Sequence, residues 1–117
     1  MLVVDDEAGV REFAAEALIE LGYDVLSADS AEQALQVIET ASGVKILLTD
    51  VVMPGASGRQ LADAVLRVKP DIRVLYMTGY TQNAIVHNGV LDTGTNLISK
   101  PFTIGQLGDE LDHLMAM

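Results

Sequence analysis

Short apolar runs alternate along this chain with stretches in which apolar residues recur every three or four positions. Leu2–Val4 is an apolar run that stops at Asp5-Asp6-Glu7. Over residues 10–21, Val10, Phe13, Ala14, Ala17, Leu18 and Leu21 fall at helical spacing, and Gly22 is placed to cap the helix. Residues 24–28 read as strand. Ser30-Ala31-Glu32-Gln33 forms a capping-box pattern ahead of a helix carrying Ala34, Leu35, Val37 and Ile38, with Gly43 as its stop.

Residues 44–49 form the strongest strand signal, β-branched and leucine residues with almost no polar interruption, as burial on both faces requires. That strand ends at Asp50. Pro54, Gly55 and Gly58 predict a loop, and a second capping-box pattern from Ser57 to Gln60 opens a helix reaching about residue 69. Its predicted apolar face is Leu61, Ala62, Val65 and Leu66. Residues 72–77 read as strand, closed by Thr78-Gly79. A short helix over 82–87, a glycine-bearing loop over 89–95 and a short strand at Asn96–Ser99 come next. After Lys100-Pro101 a third capping-box pattern, Thr103 to Gln106, opens a closing helix with Ile104, Leu107, Leu111 and Leu114 on one face. Strand and helix alternate about five times with short connections, which predicts one α/β domain over 1–117, a parallel sheet with helices on both faces.

The totals narrow the function. A formal charge of −10 repels nucleic acid and anionic membranes, so direct nucleic-acid binding is not expected. The absence of cysteine rules out disulfides and thiolate metal sites. No apolar run is long enough for membrane insertion, and there is no basic leader pattern, so the expected location is cytoplasmic. The abrupt opening Met1-Leu2-Val3-Val4 reads as a strand lacking its first residues, which leads us to expect a domain excised from a longer chain.

In open parallel sheets, ligands bind beyond the carboxyl ends of the strands. Here those ends carry Asp5, Asp6 and Glu7, then Asp50, then Thr78-Gly79, then Lys100-Pro101. Taken singly, each has an ordinary use: an aspartate caps a helix or opens a turn, a threonine ends a strand, a lysine meets solvent. Together they form a chemical set. Two carboxylates about 4 Å apart repel by roughly 4 kcal/mol at an effective dielectric of 20. A divalent cation and Lys100 would balance three acids, and magnesium suits carboxylate, water and phosphate oxygens. In that reading Asp50 is the nucleophile toward phosphorus, Lys100 and the Thr78 hydroxyl stabilise the phosphoryl oxygens, and Gly79 keeps the approach open.

The same residues resemble the receiver domain of two-component response regulators, across essentially the whole chain. The resemblance rests on Asp5-Asp6 after the first strand, Asp50-Val51-Val52-Met53-Pro54 continuing to Gly58, Met77-Thr78-Gly79, and Lys100-Pro101-Phe102. It implies a flavodoxin-like (βα)5 fold with strand order 2-1-3-4-5 and Asp50 as phosphoacceptor. It further implies Mg2+ on Asp6, Asp50 and the backbone carbonyl of Val52, with Asp5 acting through water, and a cis bond before Pro101. The implied phosphodonor is a phosphohistidine on a histidine kinase or a histidine phosphotransfer domain. Such a domain is a phosphoacceptor rather than an enzyme, and the resemblance leaves room for a weak homodimer.

Two departures stand out. The family's switch aromatic, three residues before the lysine, is Leu97 here, and the usual Gly-Ala pair gives way to Asp92-Thr93-Gly94-Thr95. The stretch 78–102 is similar to receivers at the C-terminus of hybrid sensor histidine kinases. Leu97 is expected to stay in the core in both signalling states. Tyr80 is expected at the pocket mouth, crowding the water that would hydrolyse the acyl phosphate, with a surface docking role as its alternative. His87 and His113 are expected to face solvent. A haloacid dehalogenase-type phosphatase would carry a second acid where Val52 stands, and a flavin site would need a phosphate-cradling loop in place of Asp5-Asp6-Glu7. A degenerate receiver used only for docking is a further alternative, but every pocket residue is intact.

Overall fold

A strand covered on both faces needs apolar residues at successive positions, and the centre of the sheet supplies them. The computed structural model describes residues 1–41, 43–51, 57–78 and 96–116, with the side chain of Asn96 left aside. Its strands are β1 (Leu2–Val4), β2 (Leu26–Ala28), β3 (Ile46–Asp50), β4 (Arg73–Thr78) and β5 (Asn96–Ser99). The helices are α1 (Ala8–Glu20), α2 (Ala31–Thr40), α3 (Gly58–Val68) and α4 (Ile104–Met115). The five strands form one sheet in the order β2-β1-β3-β4-β5, every pairing parallel. The expected strand order and doubly wound class are therefore present.

Alternation along β1 and β3 divides the interior in two. Leu2, Val4 and Leu47 face α2 and α3, where they meet Ile38, Leu61 and Val65. Val3, Ile46 and Leu48 face α1 and α4, where they meet Leu18, Leu107 and Leu111. Each of these is nearly or wholly buried, and burying a leucine-sized side chain stabilises by roughly 2 to 3 kcal/mol.

The helix ends follow local chemistry with instructive differences. At Ser57 and Thr103 both reciprocal bonds of the capping box are made. At Ser30 only half is: its hydroxyl accepts from the Gln33 amide, while the Gln33 side chain takes the amide of Asp29. Gly22, at φ 97°, lets the chain leave α1, as its amide bonds to the Ile19 carbonyl and that of Tyr23 to the Leu18 carbonyl. Gly43 is not the stop of α2, because the chain already turns extended at Ala41.

Three predicted core residues lie farther out. Phe13 and Leu21 of the α1 stripe are exposed, as is Leu66 of α3. Ala14, Ala17 and Leu18 make the buried face of α1, and Phe13 lies at its rim against Phe102, ring centroids 5.7 Å apart. The second strand is shorter than the predicted 24–28, and residues 24 and 25 approach the sheet without joining it. His113 is exposed as expected; the predicted helix over 82–87, the loop over 89–95 and His87 lie outside the described residues.

Candidate functional site

The carboxyl ends of β1, β3, β4 and β5 bring the predicted set together on one edge. Asp5 follows β1 and is fully buried, Asp50 closes β3 and is 8% exposed, and Thr78 closes β4 and is 1% exposed. Asp6 is exposed, and a carboxylate oxygen from each of Asp5, Asp6 and Asp50 lies within 4.8 Å of the others. From the far side, Lys100 Nζ sits 3.4 Å from Asp5 Oδ2 and 3.3 Å from Asp50 Oδ2. Burial alone would lower the lysine's pKa, but the carboxylates of Asp50 and Asp5 outweigh it and hold the ammonium above its ordinary value. The cation is thus secured between two acids it only partly neutralises.

The three acids have different freedom. Asp5 is committed: Oδ1 accepts from the Glu7 amide at 2.9 Å, Oδ2 meets Lys100, and its own amide donates to the Ala28 carbonyl at 3.3 Å. Among the described residues Asp6 makes no such bond and is exposed, so of the three acids it is the most open to an incoming ion. The Thr78 hydroxyl is buried and has no hydrogen-bond partner among the described residues. A buried hydroxyl is seldom left this way, and this one closes β4, whose neighbour β3 ends at Asp50.

Backbone geometry fixes Asp50 itself. The Val51 amide donates to the Met77 carbonyl, and the Val51 carbonyl accepts from the Gly58 amide at 2.7 Å, drawing the start of α3 against the end of β3. A Cβ on Gly58 would lie 2.0 Å from the Asp50 carbonyl oxygen, so only glycine fits. The buried Thr49 hydroxyl donates to the same carbonyl at 3.0 Å. Thr49 and Gly58 brace the Asp50 carbonyl; in the sequence Thr49 reads as one more strand residue, and Gly58, expected in a loop at the family's spacing, instead opens α3. Near the start of α1, Arg11 donates from Nη1 to the Asp5 carbonyl at 2.8 Å.

The Lys100-Pro101 peptide is cis, as the resemblance implied. Phe102, next along, is buried between α1 and α4. Leu97 is half-buried in β5, in register with Tyr76 and packed against the α2–α3 side of the core. Val52, Gly79 and Tyr80 lie outside the described residues.

A doubly wound parallel sheet with buried acids and a lysine at its carboxyl edge is an arrangement suited to phosphoryl chemistry. Residues 1–112 match the response regulator receiver domain family, and the chain belongs to it. It is 34% identical over 116 residues to the sensor kinase CckA of Brucella abortus (strain 2308), covering 98% of this chain and 12% of that protein. It is 28% identical to the response regulator receiver protein CpdR of the same organism, covering 98% of this chain and 95% of CpdR. Among solved structures, Vibrio cholerae chemotaxis protein CheY4 superposes with a TM-score of 0.84 at 26% identity, over 97% of this chain and 95% of that one. The chain is thus a receiver domain of two-component signal transduction. Among the described residues no helix is long and apolar enough to cross a membrane.

Proposed function

We propose that Asp50 accepts the phosphoryl group, and that Asp6 and Asp50, with the Val52 carbonyl, hold a magnesium ion beside it. The observation that carries this reading is the meeting of three carboxylates within 4.8 Å, with one lysine shared between two of them. Such a cluster is short of positive charge, its donors are hard oxygens, and the Thr78 hydroxyl awaits a partner, so the residues present fit a small divalent cation and a phosphoryl group. When bound, the cation supplies charge neutralisation for phosphoryl oxygens that would otherwise meet three carboxylates.

The chain's own residues perform the rest. A carboxylate oxygen of Asp50 attacks the phosphorus of a phosphohistidine. The O–P bond forms as the P–N bond breaks, and the electron pair of that bond stays on the imidazole nitrogen, which then takes a proton from water. Lys100, already seated against Asp50, and the Thr78 hydroxyl and Gly79 receive the phosphoryl oxygens. Pulling Thr78 toward the phosphoryl group is the switching event, transmitted to the residues after β4 as a population shift. Leu97 has no polar tip to exchange between buried and exposed positions, so it keeps its place against the core.

The phosphodonor in this reading is a histidine kinase or histidine phosphotransfer domain in the cytoplasm. The likeness to the sensor kinase CckA supports a place for residues 1–117 as the receiver of a hybrid kinase. Incubation with a small-molecule phosphodonor and magnesium should add one phosphoryl mass to the wild type and none to Asp50→Asn. Chelation should abolish the labelling, and equal labelling of both proteins would defeat the assignment.

A further inference from the structure

Helix α1 starts beside three acids, Asp5, Asp6 and its N-cap Glu7, yet it places a cation, Arg11, at its fourth position. The guanidinium folds back past the start of its own helix, and Nη1 donates to the Asp5 carbonyl at 2.8 Å. The cation is thereby held against the backbone of the acidic turn rather than left in solvent.

The Asp5 carbonyl belongs to the peptide that joins Asp5 to Asp6. Arg11 holds that peptide by its oxygen, while the Glu7 amide holds the Asp5 carboxylate at 2.9 Å and Lys100 holds it at 3.4 Å. The turn is therefore fastened on both sides of Asp6, whose own exposed carboxylate makes no bond among the described residues. From this geometry we infer that Arg11 is a positioning residue for the divalent-cation site, setting the orientation of the Asp5-Asp6 peptide and through it the aim of Asp6. The inference rests on the magnesium reading given above.

Its test has a sign that separates it from simple electrostatics. Removing a cation beside an acidic site should tighten the binding of Mg2+, whereas loosening Asp6 should weaken it. Arg11→Met keeps the apolar stem and deletes the charge and donors. Titration calorimetry with Mg2+ should show affinity roughly tenfold weaker than wild type, with Arg11→Lys between the two. The rise in thermal midpoint on adding Mg2+ should shrink in step. Affinity in Arg11→Met equal to or tighter than wild type overturns the role, as does a lowered metal-free midpoint with unchanged affinity, which marks a purely structural bond. If Arg11→Met does not fold, Arg11→Gln, neutral and shorter, decides in the same way. A wild type that binds Mg2+ and is phosphorylated, matched by its Arg11 variants, removes the Arg11 role alone. A wild type that does neither removes the magnesium reading, and the Arg11 role with it.

Discussion

The middle of the sheet and its carboxyl edge are built from the same strands, one or two residues apart, and obey opposite rules. In β3, Ile46, Leu47 and Leu48 are apolar, nearly or wholly buried, and packed between helices on both faces. The next two residues, Thr49 and Asp50, are equally inaccessible but polar, and Asp50 shares a single lysine with a second buried acid. The middle lowers the free energy of the fold by removing apolar surface from water. The edge works against that gain, because buried carboxylates lose hydration and repel one another. In the reading proposed above, the edge is the part arranged for a ligand, since a divalent cation would relieve the repulsion among its acids.

The comparison is most severely tested in the middle. Leu48→Ala empties a fully buried position facing α1 and α4 and should cost about 3 to 4 kcal/mol in a denaturant titration. Molecules that remain folded should take up phosphoryl groups at the wild-type rate, and a rate loss beyond the unfolded fraction would break the division between the two regions. Gly58→Ala sits at the border. Its new Cβ would press on the Asp50 carbonyl from 2.0 Å, so we expect about 2 to 3 kcal/mol of destabilisation together with slower phosphorylation of the folded fraction.

At the edge itself the sign reverses. Asp50→Asn removes one of two buried carboxylates that share Lys100, so the metal-free protein should gain about 1 kcal/mol of stability while losing phosphorylation. A loss of stability would mean that the Lys100–Asp50 pairing outweighs the repulsion among the acids. The smallest effect is in pH. Lys100 has a folded-state pKa above its unfolded value, so its contribution is fully present below the ordinary lysine value of about 10.4 and is lost as pH rises through the raised one. Alkaline unfolding curves of wild type and Lys100→Met should therefore converge above that value and stay parallel from pH 6 to 9, where the lysine does not titrate.

Much of this architecture is legible in the chain's pattern. The alternation of apolar period placed all five strands and the four described helices, because burial on one helical stripe or on both faces of a strand leaves a pattern in the chain itself. The acids, the threonine and the lysine were legible too, because a parallel sheet delivers every strand end to one edge. Gly22 was readable as a cap because only glycine takes a positive φ at no cost. Phe13, Leu21 and Leu66 were misplaced because spacing gives the direction of a helical face but not the width of the surface it meets.

By itself, then, the sequence determined the elements, the single-sheet class and the residue types gathered at the carboxyl edge, all of which follow from local periodicity and from where strands end. Tertiary structure alone decided how those residues share the work. Asp5 is tied to Lys100 and Glu7 while Asp6 stays open, Thr49 and Gly58 close on one carbonyl, and Arg11 reaches back to another. These are contacts of single atoms, several between residues far apart in the chain, and their distances depend on how helices seat against the sheet. No pattern of hydrophobic and polar positions encodes that seating to the fraction of an ångström at which a hydrogen bond is made or lost.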